Sequence, residues 1–276
     1  MSDVLNIAHR GASAYAPENT FAAYDLAVAL SAHAIELDVR ETRDGNLVVI
    51  HDDTITRTTS GPPLESEAVA DLRWEDIVDR DSGGWFNRRH PRYARPEYSE
   101  ARIPRLEDVF DRYGRDLTYF IELKHPPCRT GMEASLVELV RRHQLVRTEG
   151  DRPVVVVEAF SQPCLKALRD LEPDLSLVQL FHSYATASAI RSYLGALPDY
   201  CMGVGPCKDS VDERLLNAAV LHSLKVYAWT ANEPAEMAKL VNLGVDGLVT
   251  DFPDTLDDVA QRSLRRSPRH ATSGSV

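Results

Sequence analysis

In "AIELDV", residues 34–39, apolar and acidic residues alternate, and the same alternation returns in "FIELK", residues 120–124. Alternate residues of a strand share a face. Ile35, Leu37 and Val39 therefore lie on one side of the first segment and Glu36 and Asp38 on the other; in the second, Ile121 and Leu123 oppose Glu122 and Lys124. If the apolar faces meet a layer of helices, three carboxylates and a lysine point into the sheet interior, where an unpaired charge costs several kcal/mol. Oxygen-only donors of this kind suit a hard cation such as Mg²⁺ or Ca²⁺, with water and substrate oxygens completing its shell. A salt-bridge network, Lys124 with Glu122 and Arg10 or Arg40 with Glu36, is the alternative reading of the same residues.

Two histidines stand where apolar runs end: His9 follows "NIA" and His51 follows "LVVI". A lone histidine at a strand end usually caps the strand or faces solvent. A pair converging on a carboxylate-bound cation reads instead as a general base and a general acid, because imidazole does both near neutral pH.

Bringing these residues together requires several strand ends to converge. Strand-length apolar runs at 4–8, 34–39, 117–124, 153–160, 175–181, 201–205, 225–230 and 247–250 alternate with helix-like segments. With "NLVVIH" at 46–51 treated as an extension of the second strand's loop, the count is eight. That predicts an α/β fold, a (β/α)8 TIM barrel, for which roughly 250 residues is typical. An open doubly wound sheet would place a glycine-rich loop after its first strand, where this chain has "HRG". The segment from about 53 to 105, with "SGPP", "DSGGWF" and "NRRHPRYARPEYSEARIP", breaks the alternation and reads as an insertion on the catalytic rim. The expected organisation is a single domain over 1–262 followed by a disordered tail over 263–276.

With 31 Lys and Arg against 42 Asp and Glu, the formal charge of −11 argues against nucleic acid as a partner. No apolar run suggests a stable membrane anchor. Cys128, Cys164, Cys201 and Cys207 form no CxxC pair, so a reduced, cytoplasmic protein is expected. The arginine run at 88–95 reads as solvated charge, and Trp85 and Phe86 as packing for the insertion. His125, His143, His182 and His222 have no motif context.

The ordered set of motifs goes further. "HRGASAYAPENT", "IELDV", "VVIHDDTITRTTSG", "IPRLEDVF", "IELK", "VYAWTAN" and "LGVDGLVTDFP" run in sequence from about residue 7 to 256. In them the chain resembles the glycerophosphodiester phosphodiesterases. The resemblance implies a TIM barrel, one bound divalent cation and hydrolysis of glycerophosphodiesters to glycerol 3-phosphate and an alcohol, through a cyclic phosphate. Position by position, it makes Glu36, Asp38 and Glu122 the metal ligands and His9 and His51 the catalytic pair. Arg10 and Lys124 hold the phosphate and Trp229 walls the glycerol pocket, while Asp52 orients its neighbours and Glu18 hydrogen-bonds inside its loop. The chain departs from the family at "SGPP", where a second glycine often follows RTT, and the stiffer loop there leads into the insertion.

Three other readings compete. A lysophospholipase D would act on lipid-like diesters, with Trp85 and Phe86 at the lipid. An isomerase or aldolase barrel would need a lysine held neutral in an apolar setting, yet Lys124 sits beside Glu122 on one face. A silent binding barrel predicts loss of a motif residue, and His9, Glu36, Asp38, His51 and Glu122 are all present.

Overall fold

The computed structural model describes residues 4–124, 131–146, 152–184 and 186–266. Eight parallel strands close on themselves: β1 (Leu5–Ala8), β2 (Ala34–Glu41), β4 (Thr118–Leu123), β5 (Val155–Ala159), β6 (Ser176–Phe181), β7 (Gly203–Pro206), β8 (Lys225–Ala228) and β9 (Gly247–Thr250). Closure comes from β1, which pairs with both β2 and β9. The short strand β3 (Leu47–Val49) folds back antiparallel on β2, as the reading of "NLVVIH" as a loop extension required. The expected TIM barrel is the observed fold.

The outer layer consists of α1 (Phe21–Ala29), α4 (Leu106–Tyr113), α5 (Met132–Arg142), α6 (Gln162–Leu171), α7 (Ala187–Gly195), α8 (Glu213–Leu221), α9 (Pro234–Leu243) and α10 (Pro253–Arg266). Local chemistry starts and stops these helices. Thr20 accepts from the Ala23 amide at the start of α1, Asp212 from the Leu215 amide at the start of α8, and Gly244 ends α9 in the left-handed region at φ 91.

The alternation read in β2 and β4 is realised. Ile35, Leu37, Val39, Tyr119, Ile121 and Leu123 join the main core with Tyr24, Ala27 and Phe110 from the helices. Inside the barrel a second, smaller cluster takes Ile7, Ala34, Phe120, Val156, Val178, Tyr227 and Val249, from seven of the eight parallel strands. The exception, β7, has Gly203 and Gly205 in its place. A Cβ on Gly205 would come within 2.4 Å of Leu180 Cδ2, and its carbonyl accepts a 2.7 Å hydrogen bond from Trp229 Nε1. The interior below the rim is thus a packed plug, and charged side chains stand above it.

The insertion is more ordered than its composition suggested. Rather than lacking core elements, it carries α2 (Trp74–Ile77) and α3 (Gly84–Arg89). Ile55, Val69, Leu72, Ile77 and Ile103 form a core with Val48 and Ile50, because apolar residues spaced through the loop share one buried side. Phe86 is fully buried with Tyr98 against Ala16 and Ala23, and Trp85 packs beside them, so both aromatic residues serve packing. A second correction concerns the chain's end. The expected tail over 263–276 begins too early, since α10 continues to Arg266, and 267–276 lie outside the described residues.

Cys164, Cys201 and Cys207 are free thiols, the first two buried; Cys128 and His125 lie outside the described residues. Among the described residues no helix is long and apolar enough to cross a membrane.

Candidate active site

Strand register sets the first layer of the site. Asp38 pairs with Glu122, and Glu122 with Glu158, so a row of carboxyls crosses β2, β4 and β5 at one height. Glu36 lies two residues below Asp38 on the same strand face. One oxygen from each of Glu36, Asp38 and Glu122 lies within 4.8 Å of the others. Ligands opposite one another on a hard cation stand roughly 4–5 Å apart, so these three carboxylates can hold one.

The electrostatics agree. Arg10 Nε lies 3.1 Å from Asp38 Oδ2, and Lys124 Nζ lies 3.0 Å from Asp38 Oδ1 and 2.6 Å from Glu122 Oε1. Burial would raise the Asp38 pKa, but Arg10 and Lys124 hold it well below the usual carboxylate range. Glu36 and Glu122 have no such surplus, and burial together with the Asp38 charge pushes both upward. Two side-chain cations among four carboxyls leave a deficit of positive charge. Asp38 Oδ1 is buried without a hydrogen bond of good geometry. A divalent cation fits both features. The same contacts dispose of the aldolase reading, since Asp38 and Glu122 keep Lys124 protonated against the effect of its burial.

The first turn after β1 aims the next residues. Arg10 and Gly11 have positive φ, 55 and 82. A Cβ on Gly11 would lie 2.6 Å from the main-chain carbon of Ala23, so only glycine lets α1 pack this closely. In this turn the Arg10 amide donates to Glu36 Oε2 at 2.8 Å. Asn19, of "PENT", donates to Asp38 Oδ2 at 2.8 Å and accepts from the Tyr24 hydroxyl at 3.0 Å.

Each histidine is gripped at Nδ1 by an aspartate. Asp251 Oδ1 lies 2.6 Å from His9 Nδ1, and Asp52 Oδ1 lies 2.7 Å from His51 Nδ1. Both rings can therefore present Nε2 to the cavity, and His9 Nε2 lies 4.0 Å from Glu36. Arg57 braces the second arm. Its Nε donates to Asp52 at 2.6 Å, while Nη1 and Nη2 each donate to Glu18 at 2.7 Å, and Glu18 also accepts from Arg10. Hydrogen bonds from Arg57 hold Asp52 down to about 2. Burial, with Arg10 and Lys124 nearby, lowers His51. Arg40, a candidate partner for Glu36 in the salt-bridge reading, instead donates to the His51 carbonyl.

These groups line a cavity of ≈ 200 Å³ shared by His9, Arg10, Glu36, His51, Glu122 and Lys124 on one side. Its other side is largely aromatic. Trp229 stands edge-on to Phe160 and His182, with centroids 5.6 and 5.3 Å away, and those two rings stack at 4.7 Å. Every residue singled out from the motifs meets at this cavity or touches a residue that does.

Four contributors escaped the sequence reading. Glu158 shares the inward parity of Glu122 but sits in an almost wholly apolar run, "VVVVEAF"; parity in a neighbouring parallel strand was the available signal. His182, read as lacking context, lines the cavity because it directly follows β6. Arg57 and Asp251 lay inside quoted motifs without a role, and only contacts across the rim assign them one.

Comparison with known proteins agrees with this geometry. The model of the glycerophosphoryl diester phosphodiesterase family matches residues 9–255. The chain belongs to that family. It is accordingly an enzyme, a phosphoric diester hydrolase. It is 36% identical over 256 residues to the glycerophosphodiester phosphodiesterase of Bacillus subtilis, covering 93% of this chain and 86% of that one. With the enzyme of that name from Caldanaerobacter subterraneus it shares 30% identity, covering 94% and 98%. Among solved structures, an Oleispira antarctica phosphodiesterase in complex with its product sn-glycerol-3-phosphate superposes with a TM-score of 0.76 at 28% identity, covering 92% and 96%. A glycerophosphoryl diester phosphodiesterase structure from Silicibacter pomeroyi gives 0.81 at 26% identity, covering 95% of each.

Proposed function

We propose that the enzyme hydrolyses glycerophosphodiesters to glycerol 3-phosphate and an alcohol, with His9 and His51 as its acid–base pair. The observation that carries this reading is the convergence of two aspartate-anchored histidines, three clustered carboxylates and two cations on one cavity. Its ≈ 200 Å³ suits a glycerophosphoryl group. The cation, Mg²⁺ or Ca²⁺, would be held by Glu36, Asp38 and Glu122 and would neutralise charge on the phosphoryl oxygens.

A phosphodiester is an anion with a poor leaving group, so charge must be neutralised and protons moved at both oxygens of the exchange. Arg10 and Lys124 supply positive charge for the phosphate. One histidine takes the proton from the glycerol 2-hydroxyl as that oxygen bonds to phosphorus; the other protonates the departing alcohol as its P–O bond breaks. Water then opens the cyclic phosphate with the histidine roles exchanged, leaving glycerol 3-phosphate. Trp229, with Phe160, offers an apolar wall for the carbon face of glycerol.

The test is kinetic. His9→Ala and His51→Ala should each lower turnover of glycerophosphocholine by about 10² or more, the scale of acid–base catalysis. EDTA should abolish activity and one divalent ion restore it. Near-normal turnover in either variant, or full activity in chelator, defeats the corresponding half of the reading.

A further inference from the structure

We propose that Asp251, caged by Ser13 and Asn232, is the positioning residue that fixes the tautomer and direction of the His9 ring. The inference rests on the reading that His9 transfers a proton. The two residues are 242 positions apart and meet because β1 and β9 close the barrel: the His9 amide donates to the Thr250 carbonyl at 2.8 Å, immediately before Asp251.

The cage uses both carboxylate oxygens. Oδ1 accepts from Ser13 Oγ at 2.9 Å as well as meeting His9 Nδ1. Oδ2 accepts from Asn232 Nδ2 at 2.6 Å, and the Asp251 amide donates back to Asn232 Oδ1 at 3.0 Å, which fixes the orientation of that amide group. With its other approaches occupied, the carboxylate can take only a proton on Nδ1 from the ring. The Nε2 lone pair of neutral His9 then faces the cavity, where a substrate proton can be received or returned.

Asp251 also differs in charge from its counterpart. Asp52 shares its charge with Arg57 as well as with His51. Among the described residues the sole cationic partner of Asp251 is His9. Asp251 is the carboxylate in direct contact with His9, 2.6 Å from Nδ1, whereas Glu36 stands off at 4.0 Å from Nε2, so removing Asp251 should cost turnover rather than substrate binding.

Asp251→Asn presents an amide NH₂ to Nδ1 and favours the opposite tautomer, as the equivalent aspartate-to-asparagine change does at a serine-protease triad. The expected result is a kcat lower by about 10² or more with KM within about threefold. Placed on His9→Ala, the same substitution should cost less than about twofold, because a residue acting through His9 has nothing left to position. Imidazole ¹⁵N shifts of the unsubstituted enzyme in EDTA should show neutral His9 protonated at Nδ1, and in Asp251→Asn a shift towards Nε2. If Asp251→Asn folds poorly, Ser13→Ala removes a single cage bond and should lower kcat several-fold with the same dependence on His9.

Wild-type kcat in Asp251→Asn, an equal loss with and without His9, or an Nε2–H tautomer in the unsubstituted enzyme would each overturn the proposal. Near-normal turnover in His9→Ala would instead remove the acid–base reading and the kinetic consequence drawn from it. The nitrogen shifts would still decide whether Asp251 sets the ring.

Discussion

Glu158→Gln should stabilise the metal-free enzyme, by an amount that grows with pH. Glu158 is 4% exposed and faces Glu122 in register, and its side chain makes no hydrogen bond to the described residues. Burial first, and the neighbouring Glu122 charge second, raise its pKa from 4.5 to about 8. The folded protein therefore keeps a proton that the unfolded chain has already released between those two values. Stability falls as pH rises across that window, and the full penalty is present above it. Each pKa unit corresponds to about 1.36 kcal/mol, so the penalty approaches about 3 kcal/mol at pH 7 and about 5 kcal/mol above pH 8.

Glutamine keeps the shape and cannot ionise. Cavity water solvates part of the glutamate charge, so a gain of about 1.5–3 kcal/mol is expected at pH 7. That is a rise in Tm of roughly 3–12 °C for a chain of this size. Thermal melts in EDTA at intervals from pH 4.5 to 8.5 give the assay. The two proteins should melt together at the acid end and separate steadily above it. A gap independent of pH, or a less stable variant at pH 7, refutes the reasoning.

Two further outcomes follow from the geometry of the first turn and its brace. Gly11→Ala places a Cβ 2.6 Å from the main chain of Ala23 at φ 82, a strain plus clash of about 2–4 kcal/mol; Tm should fall by roughly 5–15 °C, and turnover should drop at least tenfold because His9 and Arg10 precede it. Arg57→Ala releases Asp52 and Glu18 together. Asp52 then rises from about 2 towards the ordinary carboxylate range, so the loss of kcat, about tenfold at pH 7, should deepen as pH falls; a loss that shrinks with acidification contradicts the role. Because the Arg57 side chain is 38% exposed, its effect on Tm should be small.

Much of the architecture was legible because barrel strands obey a simple periodicity. Parity alone separates Glu36 and Asp38 from Ile35 and Leu37, and the structure places each on the side its parity requires. The insertion was harder to read. Its apolar residues Ile55, Val69, Leu72, Ile77 and Ile103 share a core without a regular period, since irregular backbone brings them together. His182 illustrates the same limit within the site. Nothing beside it in the chain marks it, and it lines the cavity because β6 ends there, one strand from β8, after which Trp229 reaches across the end of β7 to within 5.3 Å of its ring.

By itself, the sequence determined the barrel, the inward face of each charged strand and the residue types at the rim, because these follow from local spacing and side-chain chemistry. The tertiary structure decided which carboxyls share a level, since the pairing of Asp38 with Glu122 and of Glu122 with Glu158 depends on interstrand register. It also decided what holds the histidines. Asp52 adjoins His51 in the chain, but the grip of Asp251 on His9 exists only where the last strand closes against the first, a distance in sequence that no local pattern spans.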